Sequence, residues 1–187
     1  MLNGYFYIPF LSIINNMDRK EIERTFCEIA DDLIFKKKKE LIERAIEDLS
    51  KKKEELHERI TLLEKALESV NRYGLSNVEF EYNGKTYNAK SILYKAEKEH
   101  LFGRPYISSD LYVLIEPEKE YVYIGIIRIY PNYTIDFLKN EVIEKIKEEL
   151  EYAKREVERL KLSNVVKEEK VKELLILQEA FNKVCKI

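Results

Sequence analysis

The chain offers few residues able to do chemistry. It has two histidines, His57 and His100, and two cysteines, Cys27 and Cys185. His100 closes the run Glu97-Lys98-Glu99-His100, with Asp110 further along. A His among two or three carboxylates has the donors for a metal ion or for general-base work. This spacing matches no ligand motif, and one His rarely builds a zinc site, so His100 is read as a surface histidine. His57 follows Leu56 in a helical stretch and is read as a solvated flank residue. The run Tyr82-Asn83-Gly84-Lys85-Thr86 ends in Gly-Lys-Thr but lacks the first Gly of a phosphate loop. It also lies inside a hairpin pattern rather than between a strand and a helix, and is read as a turn. No GxSxG or HExxH occurs, and neither cysteine has a His close in sequence. Both cysteines sit on apolar helix faces, where nucleophilic chemistry is disfavoured. The expectation is no catalytic, cofactor-binding or metal-ligating residue, no cofactor, and a protein that is not an enzyme.

The elements that would position these residues are clear in outline. Two spans, Asp18 to Tyr73 and Thr134 to Lys186, contain neither Gly nor Pro. Helices are punctuated by those residues, so each span reads as helix. Asp18 with Glu21 gives an approximate capping box, and Ile22, Phe26, Ile29 and Leu33 share one face. The phase then changes at the run Lys36–Lys39, where a bend or loosened turn is expected. From there the seam is Ile42, Ile46, Leu49, Leu56, Ile60, Leu63, Leu67 and Val70, with Lys53 as its polar position. The return helix, capped by Thr134 or Asp136, carries Ile143, Ile146, Leu150, Ala153, Val157 and Leu160. Ser163-Asn164 is expected to interrupt it, because both residues compete for backbone hydrogen bonds. The run Leu174–Leu177 cannot all face one helix, so that end is buried on several sides or lies at a subunit interface.

Between the helices the period changes from helical to two. Gly74 suits a helix C-cap. Val78, Phe80 and Tyr82 alternate with Glu79 and Glu81, and Asn83-Gly84 then predicts a type I′ hairpin. In that register Tyr82 faces Lys85, Phe80 faces Tyr87 and Val78 faces Ala89. Ser91 caps a short helix to about His100. Two strands follow, Leu111–Glu116 and Tyr121–Tyr130, joined by a turn at 117–120. The second is nearly all apolar, as for a central strand covered on both faces. The fold class is α+β: a long antiparallel coiled-coil helical hairpin with an inserted small antiparallel β head, β-β-α-β-β.

Taking Tyr73 and Tyr133 as level pairs residue i with roughly residue 206 minus i. Three parts result: a base of 1–37 with 164–187 that includes an apolar N-terminal arm, a stalk of 38–73 with 134–163, and a head of 74–133. The stalk would be roughly 45–50 Å long. The same pairing brings Cys27 within about a turn and a half of Cys185. A disulfide across the base is one reading and two buried free thiols the other. Two helices leave their outer flanks open, so a homodimer or higher homo-oligomer is expected.

Composition narrows the class. The 187 residues carry 36% charged side chains but a net charge of only -2, so no global pull toward nucleic acid or anionic membrane exists. Abundant Lys, Glu, Ile and Tyr resemble the usage of heat-adapted organisms, as AT-rich coding also would. Intracellular disulfides occur in hyperthermophiles. The apolar N-terminus lacks a basic start and a small-residue cleavage site, and Pro9 interrupts it, so neither a signal peptide nor a membrane span is read. A soluble cytoplasmic protein is expected. The arm residues Tyr5, Phe6, Tyr7, Ile8, Phe10 and Leu11 form a candidate interaction arm. They cover the base of their own or a partner subunit, the favoured reading, or grip something apolar. Lys36–Lys39 and Lys51–Lys53 beside a Tyr-rich head have the parts of a single-strand nucleic-acid site. Glu residues follow both runs closely, so a solvated helix face is favoured.

The layout of long helix, β hairpins and long helix is similar to that of prefoldin subunits. The resemblance implies assembly through the β region and a hold on unfolded chains at the helix tips. The apolar arm and the Leu174–Leu177 end would be those tips. The Ser91–His100 helix and the breaks near Lys36 and Ser163 depart from that pattern. The leading expectation is a non-enzymatic interaction or scaffold protein, oligomeric through base or stalk, that binds a protein partner through head or arm. The alternatives are a prefoldin-like holdase and a nucleic-acid-binding coiled-coil protein.

Overall fold

Helix formers without Gly or Pro do build the long helices. The computed structural model describes residues 18–116 and 119–185. In chain order these form α1 (Arg19–Ala30), a π-helical turn (Asp31–Lys36), α2 (Lys37–Tyr73), a 3₁₀ turn (Gly74–Asn77), β1 (Val78–Tyr82), β2 (Lys85–Tyr87), α3 (Ala89–Leu101), β3 (Ile107–Ile115), β4 (Glu120–Ile129) and α4 (Ile135–Cys185). The fold is α+β and mostly helical, with a helical hairpin and one four-stranded antiparallel sheet. Among the described residues no helix is long and apolar enough to cross a membrane. The chain divides into two compact units. The first holds Met1–Lys51 and Lys161–Ile187, the second Lys52–Leu160, and α2 and α4 contribute to both.

In the second unit the β1–β2 hairpin follows from Asn83-Gly84. Both residues take positive φ, 52° and 71°, as a type I′ turn requires. Tyr82 pairs with Lys85 and Phe80 with Tyr87. Ala89 does not pair with Val78, because α3 already begins there. Asn88, not Ser91, is the N-cap: its side chain accepts a hydrogen bond from the Ser91 N–H at 2.9 Å. Asn caps as well as Ser and comes earlier in the chain.

The sheet order is β2-β1-β3-β4. β3 begins at Ile107, because Ile107, Ser109, Leu111, Val113 and Ile115 alternate inward. Buried Ser109 fits there because its hydroxyl donates to the Glu81 carbonyl at 2.9 Å. Residues 117–118 of the expected turn lie outside the described residues.

β4 is an edge strand, not the central strand expected from its apolar run. A bulge explains the sequence. Leu111 pairs with Gly125 but Tyr112 pairs with Tyr123, leaving Ile124 as the extra residue. Val122 and Ile124 point inward before the bulge, Ile127 and Ile129 after it. Two alternations out of phase read as one continuous apolar stretch. Gly125 has φ 151°, and a Cβ there would lie 3.2 Å from the Lys145 side chain of α4.

Within this unit α2, α3 and α4 cover the same face of the sheet. Leu63 and Val70 of α2, Ile92 of α3, and Leu138, Val142 and Ile146 of α4 join Phe80, Leu111 and Ile129 in one core. Polar anchors fix α2 to the strands. Ser69 donates to the Leu114 carbonyl at 2.7 Å, and Arg59 donates to the carbonyls of Tyr123 at 2.6 Å and Ile124 at 3.3 Å. Thr134 caps α4 by accepting from the Phe137 N–H at 3.2 Å.

Three expectations about the helices need correction. Glu64 pairs with Lys154 at 3.0 Å, about three turns beyond the residue that level ends would give it. The first turns of α4, through Leu138, Val142 and Ile146, are spent beneath the sheet. α4 also runs unbroken through Ser163-Asn164. The helix cost of Ser and Asn is only a few tenths of a kcal/mol each, and the flanking helix formers outweigh it. Asp18 is the N-cap of α1, but its carbonyl, not its side chain, accepts from the Glu21 and Ile22 N–H groups.

The first unit is held differently. Cys27 and Cys185 are joined in a disulfide with Cα atoms 5.9 Å apart. The rings of Phe35 and Phe181 meet at 5.4 Å, and Gln178 donates to the Asp31 carboxylate at 2.7 Å. The loosened turn is the π turn Asp31–Lys36, which ends where the Lys36–Lys39 run begins. Its wider turn sets Ala30 and Phe35, five residues apart, on one inward face.

Candidate functional site

The strand period of two sends one set of residues into the core beneath α2, α3 and α4 and the other onto the opposite face of the sheet. On that outer face stand Glu79 and Glu81 from β1, Asp110 and Tyr112 from β3, and Tyr121 and Tyr123 from β4. Glu79 pairs with Tyr112, which pairs with Tyr123; Glu81 pairs directly with Asp110. Tyr121 donates to the Glu79 carboxylate at 2.6 Å, and Tyr123 donates to Asp110 at 3.2 Å. The Tyr112 and Tyr123 rings pack at 5.3 Å.

These contacts keep the phenols protonated. The hydrogen bond to Glu79, then burial, raises the Tyr121 pKa above its ordinary value. Burial, then the bond to Asp110, raises that of Tyr123. Burial, then Glu81 and Asp110, raises that of Tyr112. Tyr121, Tyr123 and Ile126 remain largely exposed. The face is acidic and aromatic, and these residues include no nucleophile with an adjacent base.

A second feature borders the later half of β4. A cavity of about 690 Å³ is lined by Ile126, Arg128, Tyr130, Tyr133, Glu141 and Lys145, among others. Its aromatic wall continues as a ladder, with Tyr130 stacked between Tyr106 and Tyr133 at 5.4 Å each and Tyr133 against Phe137 at 4.5 Å. Burial, then Glu141, raises the Tyr133 pKa. Its charges already have partners: Lys145 with Glu149 at 2.8 Å and Glu144 with Lys147 at 2.7 Å. No histidine or cysteine lines it.

The third feature is the set of exposed apolar side chains in the first unit. Among the described residues Ala30, Phe35 and Leu174 are that unit's buried apolar ones. Phe26, Ile29 and Leu33, which share one helix face, are exposed at 68%, 42% and 53%. Ile34, Leu41, Leu162, Ile176 and Leu177 are also exposed. Of the Leu174–Leu177 run, Leu174 alone is buried.

The other candidate residues are scattered. His57 is exposed and its ring Nδ1 donates to the Lys53 carbonyl at 2.6 Å. His100 is exposed at the end of α3, while Asp110 bonds Tyr123. Among the described residues no group of three His, Cys, Asp or Glu side chains is placed to hold a metal ion. Lys36, Lys39 and Lys51 lie within 3.0–3.7 Å of Asp31, Glu43 and Glu47. Tyr5, Phe6, Tyr7, Ile8, Phe10 and Leu11 lie outside the described residues. The cross-strand set of carboxylates and tyrosines was not found from sequence. The alternation that reveals it was visible in β1, but starting β3 at Leu111 left Asp110 off the sheet. Comparison of the chain with protein-family models, with curated proteins and with solved structures finds no match in any of the three.

Proposed function

We propose that the chain is a non-enzymatic interaction protein. Copies associate through the apolar surface of the first unit, and the head offers its open sheet face to a protein partner. The exposure of Phe26, Ile29 and Leu33 together with Ile176 and Leu177 carries this reading. So many large apolar side chains left exposed in one small unit mark an interface more often than free monomer surface. A cytoplasmic setting for a disulfide-bearing chain fits the heat-adapted cast of the composition. The expected species is a homodimer or higher homo-oligomer. Sedimentation velocity at low micromolar concentration tests it. The wild type should sediment as an oligomer, and Leu33→Asp with Leu177→Asp should shift it to monomer. A wild type that stays monomeric as concentration rises contradicts the proposal.

The same exposed residues favour a second reading, a prefoldin-like holdase that uses this surface and the arm to grip unfolded chains. Aggregation-suppression assays on the full chain and on a chain lacking residues 1–17 separate the two. A holdase loses activity with the arm, whereas a scaffold has none to lose. Nucleic-acid binding is the weakest reading. Glu79, Glu81 and Asp110 stand on the tyrosine face where bases would stack, and they repel phosphates.

A further inference from the structure

We propose that the outer face of the head sheet docks a lysine- or arginine-bearing segment of a protein partner. This rests on the reading of the chain as an interaction protein and adds the partner's chemistry. The first support is an arrangement unfavourable to the isolated fold. Glu81 and Asp110 face each other directly across β1 and β3. Like charges directly opposite in an antiparallel pair destabilise it. A cation seated between them removes that repulsion, which gives a basic segment a gain that a neutral or acidic one lacks.

The second support is the setting of the carboxylates. Glu79 and Asp110 accept hydrogen bonds from phenols, Tyr121 and Tyr123. A phenol orients a carboxylate without neutralising it, so the negative charge stays available. The rings of Tyr112 and Tyr123 lie beside the same groups, and their faces attract ammonium and guanidinium groups. Exposed Tyr121, Tyr123 and Ile126 add flat, stiff apolar area of the kind that anchors protein interfaces. The acidic field is bounded: Arg128, at the far end of the face, stacks over Tyr106 at 5.2 Å. An extended segment along the strands, with basic residues toward β1 and apolar ones toward β4, satisfies both halves of the face. Phosphate backbones and anionic lipid surfaces carry the wrong sign.

The test uses the full chain and a fluorescent oligolysine of about eight residues, read by anisotropy at low ionic strength. Saturable binding is expected, weakening about tenfold or more as salt rises to a few hundred millimolar. Oligoglutamate should not bind. Glu81→Gln with Asp110→Asn should weaken oligolysine binding about tenfold while the melting temperature stays level or rises. Glu79→Gln, which leaves that opposed pair alone, should weaken binding by a smaller factor. No saturable binding, or undiminished binding in both variants, overturns the proposal. If the double variant unfolds, Glu79→Gln decides the matter alone. Sedimentation of the same samples separates the two claims. A chain that assembles but does not bind oligolysine refutes the docking face and leaves the interaction reading standing.

Discussion

The two units answer the same helical pattern in opposite ways. In the second unit, Leu63 and Val70 of α2 and Leu138, Val142 and Ile146 of α4 are buried, and the sheet completes their core. In the first unit, Phe26, Ile29 and Leu33 have the same spacing and stay exposed, while a disulfide and the Phe35–Phe181 contact hold the chain. Apolar periodicity therefore states that a face must be covered without stating by what. Where the chain covers its own face, the result is a core; where it does not, the face stays open.

Core disruption in the second unit should have the largest effect. Phe80 is fully buried, and Phe80→Ala should cost about 3–5 kcal/mol in chemical denaturation. Phe26→Ala, at an exposed position, should change the monomer by less than about 0.5 kcal/mol. Equal losses would erase the contrast between the units.

Next comes the disulfide. Its ends are 158 residues apart in sequence, and closing a loop of that size stabilises by about 5 kcal/mol in the chain-entropy account. Cys27→Ser with Cys185→Ser, or reduction, should lower stability by about 2–5 kcal/mol. Hydrogen exchange should place the loss in α1 and the end of α4 and spare β3. Loss spread evenly over both units would sharpen the comparison against this account.

Gly125→Ala should cost about 1–3 kcal/mol, because its φ of 151° strains any L side chain and Lys145 must move aside. The smallest effect is on the outer face. Tyr121→Phe removes one exposed hydrogen bond, worth about 0.5–1.5 kcal/mol. Its raised folded pKa means that contribution is complete below the unfolded value of about 10 and is lost as pH rises through the folded value. The difference in melting temperature between wild type and variant should therefore be constant below about pH 9 and shrink as pH rises through the folded value.

Much of the fold was legible from local chemistry. Asn83-Gly84 specified the first hairpin and its register, and the Gly- and Pro-free spans specified both long helices. What was not legible involved competition between local signals. The bulge at Ile124–Gly125 superimposed two strand phases and made an edge strand look central. Asn88 pre-empted Ser91 as a cap, and the cap preference of Ser163-Asn164 yielded to a strong helical context. The candidate face was half legible. Glu79 and Glu81 showed the outward side of β1, but their meeting with Asp110, Tyr121 and Tyr123 depends on pairings between distant strands that no local pattern encodes.

The central claim is that the first unit's apolar surface is completed by another copy. Hydrogen exchange followed by mass spectrometry at several protein concentrations tests it most directly. Association protects the associated state by mass action. Amides of α1, the π turn and the last turns of α4 should gain protection as concentration rises, while those of β3 stay constant. Protection in the first unit that is unchanged across the dilution series would contradict the account.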